Sequence, residues 1–191
     1  VPWELFYDSD SKKFLGLKFA VARHFPTSDK PTAPDLVHDK HAFLLISNPP
    51  EHAEGSNGEV DLLTELLKDQ GLEVEALTGN QVDFAQVLLA LQNENYLGIH
   101  YTGQTGYHRS SKQYCLLLAE KNILDAATIS KQHSSPFVFL NTRELDNPSN
   151  SSRELGECSK STEALVKAFF RGGAVSVIGT HWKVNDLIAR E

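Results

Sequence analysis

Four short apolar runs, set apart by stretches of helical periodicity, restrict this chain to one class of architecture. They are His41–Ser47, Tyr96–Tyr101, Phe137–Asn141 and Ala174–Gly179. Each is apolar at consecutive rather than alternate positions and too short for a helix, so each reads as a strand buried on both faces. Glu73–Leu77 and Tyr114–Ala119 read as further strands. Between them, Glu59–Gln70 places Val60, Leu63 and Leu67 on one helical face, with Leu62 and Leu66 beside them and Gly71 as the C-cap. Asn80 can cap the next helix, with Asp83 three residues on and Phe84, Val87, Leu88 and Leu91 as its stripe. Lys121-Asn122 reads as a turn, and Asp125–Lys131 as a short helix. Ser161–Arg171 turns Ala164, Leu165, Ala168 and Phe169 inward and is followed by Gly172-Gly173. Strands alternating with helices predict an α/β fold: a mostly parallel central sheet with helices on both faces, a three-layer sandwich.

Composition narrows the function classes. At 191 residues, 40% hydrophobic and 23% charged, the chain is long enough for one domain with its own core. Lys and Arg number 18 against 25 Asp and Glu, a formal charge of −7. That balance argues against nucleic acid or an anionic membrane as partner, since both require basic patches. No apolar run is long enough to cross a bilayer. Cys115 and Cys158 cannot build a disulfide framework, and a reduced cytoplasmic compartment is the expectation. The chain starts Val1-Pro2-Trp3-Glu4 without an initiator Met and stops within the helix-like Val184–Glu191. The expectation is a single domain, residues 1–191, of a larger multidomain protein, with residues 1–40 as a peripheral segment around the Pro-rich Pro26–Pro34. Asp146–Lys160 is the one long polar loop.

In sheets of this kind the functional groups gather beyond the C-terminal strand ends. Two such ends carry motifs. Ile99-His100-Tyr101-Thr102-Gly103-Gln104 resembles the strand ending H-Y-S-G-H-G of the CHAT branch of caspase-like cysteine peptidases, relatives of separase and the metacaspases. Phe137-Val138-Phe139-Leu140-Asn141-Thr142-Arg143-Glu144 resembles the same family's V-F-L-N-A-C-E. Val1–Leu5 is similar to its P-W-E-L-L opening, and Ser176–Asp186 to its V-I-G-S-L-W-x-V-x-D ending. The resemblance implies a caspase-like sandwich with no metal and no cofactor.

The departures from the family pattern carry the most information. The family's catalytic His falls on Gln104 and its nucleophilic Cys on Arg143. A thiolate has to attack the scissile carbonyl while an imidazole assists its formation and protonates the leaving amine. Gln exchanges no proton near neutral pH, and Arg offers no nucleophile. The resemblance therefore implies a pseudoprotease with a degenerate dyad at Gln104 and Arg143. Its peptide groove would be framed by Gly103, Asn141, Trp182 and Asp186. In active relatives an acidic residue at the Asp186 position favours Arg or Lys before the cut, although Asp186 also suits the cap of a following helix. Gly103 is expected to allow a tight exit from its strand.

Substitutes for the dyad are weak. By strand alternation His100 points into the packing. His108 lies four residues past Gln104 and would still lack a nucleophile. Cys115 sits in an apolar run as an inert thiol, whereas Cys158 lies in the polar loop and is the one candidate for reactivity. The spacing of His38, His41 and His52 fits no zinc signature. The expected function is an interaction or regulatory module with a protein or peptide partner, either another domain of the same protein or an active homologue. An active CHAT-family cysteine endopeptidase with a preference for basic residues is the alternative. A third reading is a small-molecule binder using Gly103-Gln104-Thr105-Gly106 as a phosphate loop, but G-x-x-G without Lys or a third Gly is a weak signal.

Overall fold

A computed structural model describes residues 6–18, 41–48, 56–132, 134–144 and 157–179. Strands β1 (Tyr7–Asp8) and β2 (Lys13–Phe14) form a small antiparallel hairpin followed by the short helix α1 (Leu15–Lys18). The main body runs β3 (Ala42–Asn48), α2 (Ser56–Asp69), β4 (Glu73–Thr78), α3 (Phe84–Leu91), β5 (Tyr96–His108), β6 (Gln113–Leu117), β7 (Ile123–Asp125), α4 (Ala126–Ile129), β8 (Phe137–Glu144), α5 (Glu157–Arg171) and β9 (Ser176–Gly179). Five strands lie parallel in the order β4-β3-β5-β8-β9. β6 and β7 extend the sheet antiparallel from the far end of β5.

Helix placement follows from this order. The connection β3-α2-β4 steps one way along the sheet and β4-α3-β5 steps back. Right-handed crossovers then put α2 and α3 on opposite faces. The buried residues agree. Leu44, Ile46, Ile99, Tyr101, Val138 and Leu140 point to one face. There they share a core with Val87, Ala90 and Leu91 of α3, Ala126 and Ile129 of α4, and Leu165, Ala168 and Phe169 of α5. The intervening residues point to the α2 face, which α2 covers through Val60 and the half-buried Leu63 and Leu67. Leu62 and Leu66 stay more than half exposed on its outer side.

Several boundaries differ from the sequence reading, each for a local reason. α3 is capped by Asp83, whose carboxylate accepts from the Gln86 amide, while Gly79–Gln81 forms a separate 3-10 turn. Asp125 likewise caps α4 through the Thr128 amide, and the three residues before α4 pair with β6 as β7. β5 runs on through His108, because its last four residues find a new partner in β6 after leaving β3.

Gly103 is therefore no strand exit. It lies inside β5, between Asn48 on β3 and Thr142 on β8. A Cβ there would stand 2.6 Å from the Tyr101 hydroxyl and 2.8 Å from the Asn48 carbonyl. Glycine lets the Tyr101 ring fold back across its own strand. The Tyr101 hydroxyl then lies 2.7 Å from the Leu117 carbonyl and 2.9 Å from the Gln104 carbonyl, tying the bend of β5 to β6. Gly103→Ala forces that tie apart and is expected to cost about 2 kcal/mol, a typical penalty for overpacking a core. Urea unfolding reads it, and a midpoint unchanged from wild type would contradict the assigned role.

Candidate functional site

The strand register sorts the α2 face into rows that climb toward the strand ends. Leu45, His100 and Phe139 stand side by side on β3, β5 and β8. The next row is Ser47, Thr102 and Asn141, and beyond it the backbone positions of Gln104 and Arg143 pair directly. Successive rows are about 7 Å apart, two residues of extended chain. The surface thus runs from a lower row with His100 between two apolar side chains, through a polar middle row, to the two positions that the motifs align with a catalytic pair.

Glu59 organises the middle row. It sits in the first turn of α2, next to Val60 and one helical turn before Leu63, so the helix that buries its apolar stripe also aims this carboxylate at the sheet. Its Oε1 accepts from His100 Nε2 at 2.9 Å and from Asn141 Nδ2 at 2.9 Å, and its Oε2 from the Thr102 hydroxyl at 3.0 Å. One acidic residue thereby joins α2, β5 and β8. His100 is 7% exposed and its ring stacks on Phe139 with centroids 5.0 Å apart. Burial works against ionisation of Glu59. The hydrogen bonds from His100 and Asn141, the proximity of the imidazole and the Thr102 hydroxyl outweigh it, so the carboxyl lies below its ordinary value.

The expectation that His100 points into the packing is met, with a specific partner. Asn141, expected as groove lining, is the amide arm of this network, and Gly103 lies within β5, one residue past Thr102. Sequence reasoning took Glu59 only as the start of a helix. A signal was available: His100, Thr102 and Asn141 are polar side chains inside runs otherwise buried on both faces, and such groups need a partner. An acid beside the inward stripe of the adjacent helix is the natural one.

The other candidates lie elsewhere. His108 is at the far end of β5, where its Nδ1 pairs with the Ser111 hydroxyl at 2.8 Å. Cys115 is 1% exposed and its thiol donates to the Gly106 carbonyl at 3.4 Å. Burial, reinforced by Asp125, pushes that thiol up to about 11, so it stays protonated and unreactive at neutral pH. His41 is exposed. Cys158 falls in the first turn of α5, which begins at Glu157, rather than in the polar loop expected to run to Lys160. Trp182, Asp186, His38 and His52 lie outside the described residues. Among the described residues, no three His, Cys, Asp or Glu side chains converge as metal ligands would, and no helix is long and apolar enough to cross a membrane.

The sheet is mostly parallel, with reversed crossovers, and its polar groups collect on the C-terminal halves of β3 and β8 and on the part of β5 between them. The family model for the CHAT domain matches residues 1–191, and the chain belongs to that family. Among solved structures, the crystal structure of the Drosophila initiator caspase Dronc is similar at 11% identity with a TM-score of 0.38. That similarity covers 69% of this chain and 66% of the Dronc chain, just under two thirds of it. No curated protein matches the sequence.

Proposed function

We propose that this domain has given up peptidase chemistry and acts as an interaction or regulatory module of a larger protein. The carrying observation is the register: positions 104 and 143 are direct neighbours on β5 and β8, as the motif alignment requires of a His and a Cys, and they hold Gln and Arg. Gln104 supplies neither base nor acid, and Arg143 supplies no nucleophile. Losing the nucleophile alone costs on the order of a millionfold in a serine protease. The frame beneath the pair is held by Glu59, which ties α2 to both strands. A stable strand-end surface without the reacting groups suits recognition of an extended protein or peptide segment. The segment would come from another domain of the same protein or from an active homologue, and Trp182 and Asp186 would complete the groove.

The domain is expected to release no product from fluorogenic peptides with Arg or Lys before the reporter, above a buffer control. Turnover abolished by Cys158→Ser would replace this reading with an active cysteine endopeptidase selecting basic residues.

A further inference from the structure

The opposite edge of the sheet carries a second surface, three strands away from β8. β4 is the terminal strand there, and among the described residues nothing pairs with its outer side. The Glu73 amide donates inward to the His41 carbonyl at 2.7 Å. By alternation Glu73, Glu75 and Leu77 direct their backbone groups to β3, while Val74, Ala76 and Thr78 direct N–H and C=O outward. Beside this edge, an open groove of about 430 Å3 runs between β4 and α3, lined by Glu75, Leu77, Leu89, Ala90, Asn93 and Tyr96. Leu89 is 70% exposed and supplies the groove's apolar surface, over a floor that includes the buried Leu77. The Tyr96 hydroxyl donates to the Glu75 carboxylate and fixes it at the groove.

We propose that the β4 edge binds an extended basic peptide segment as an added strand, with Lys or Arg beside Glu73 and Glu75 and apolar surface against Leu77 and Leu89. Charge decides the occupant. The strand carries two carboxylates and no base, on a chain of net charge −7. A second copy of this chain pairing through β4 would crowd four carboxylates onto one short strand pair, and like charges across a strand pair are destabilising. An acidic edge of this kind resists self-association and stays open to a strand of opposite charge. Backbone bonds would supply affinity and the alternating side chains selectivity.

The test uses two blocked hexapeptides, one of alternating Lys and Val and one of alternating Glu and Val, titrated against the domain at low salt. The Lys-Val peptide is expected to bind and the Glu-Val peptide not. Glu75→Lys should weaken the former about fivefold, the scale of one cross-strand charge pair turned repulsive. Ala76→Pro removes an outward N–H at an edge position where proline is tolerated and should weaken binding by at least as much without moving the thermal midpoint. In the wild-type domain, bound peptide should slow amide exchange at Ala76 and Thr78, a readout independent of either variant. No binding by the Lys-Val peptide, equal binding by both peptides, or binding with unchanged exchange at these amides overturns the proposal. The last outcome would mean diffuse attraction to a negative surface rather than strand addition.

Discussion

In a chain carrying Gln104→His and Arg143→Cys, the new thiol is expected to alkylate roughly 300 times faster than Cys115 near pH 7.5, from ionisation alone. An ordinary cysteine, with a pKa of about 8.5, is about 9% thiolate at that pH. Cys115, pushed up to about 11, is only about 0.03% thiolate. Burial of Cys115 at 1% exposure widens the gap, and a neighbouring imidazole at position 104 would widen it further. Peptide mass mapping after timed iodoacetamide treatment gives both rates in one sample. Restored peptidase activity should be weak at best, because catalysis loses orders of magnitude for misplacements of about 1 Å. Equal or reversed alkylation rates would mean that position 143 does not open onto a polar groove, and the proposed binding surface would fall with it.

Glu59→Ala is expected to be the most damaging single change near the site, at about 3 kcal/mol. It removes a carboxylate that accepts three hydrogen bonds and leaves the buried His100 and Thr102 and the half-buried Asn141 without that partner. The effect should depend on pH with a definite sign. The folded-state carboxyl lies below its ordinary value of 4.5. The unfolded chain therefore binds this proton more readily, and the contribution is fully present above about pH 4.5. It is lost as pH falls through the lowered folded-state value. Urea midpoints of wild type and Glu59→Ala should differ most at neutral pH and converge only as the pH falls through the lowered folded-state value. A constant gap would show that the carboxylate's charge plays no part in holding α2 to β5 and β8.

The pattern of buried runs and helical stripes was enough to read the parallel sheet and its helix layers, since strands buried on both faces leave an unmistakable composition. The pairing of positions 104 and 143 was legible only through the motifs that align them, because no local pattern sets the register between strands so far apart in sequence. Boundaries failed where a partner decided the outcome. β5 continues past Tyr101 because β6 folds back on it, and β7 exists because β6 presents a free edge. Gly103 looked like a turn residue, as an isolated glycine at a strand end does, but its lack of a side chain serves the Tyr101 ring above it. Glu59 was invisible as a site residue because an acid in a first helical turn is ordinary. Only the three-dimensional meeting of α2 with two strands gives it three donors.

The central position of β5 also bears on how the chain reaches its fold. β5 is bonded to β3, which precedes it, and to β6 and β8, which follow it, and β8 arrives some thirty residues later. During synthesis, a chain that has emerged only through β7 exposes the long edge of β5 on which β8 will lie. His100 and Thr102 can meet Glu59 by then, but the Asn141 arm of the network is still missing. Cooperative closure must therefore wait for a distant segment, the circumstance that makes parallel sheets slow to form and prone to wrong pairings. The polar network then acts as a checkpoint on assembly, since a strand set one residue out of register would turn Asn141 away from Glu59 and leave that carboxylate without its third donor.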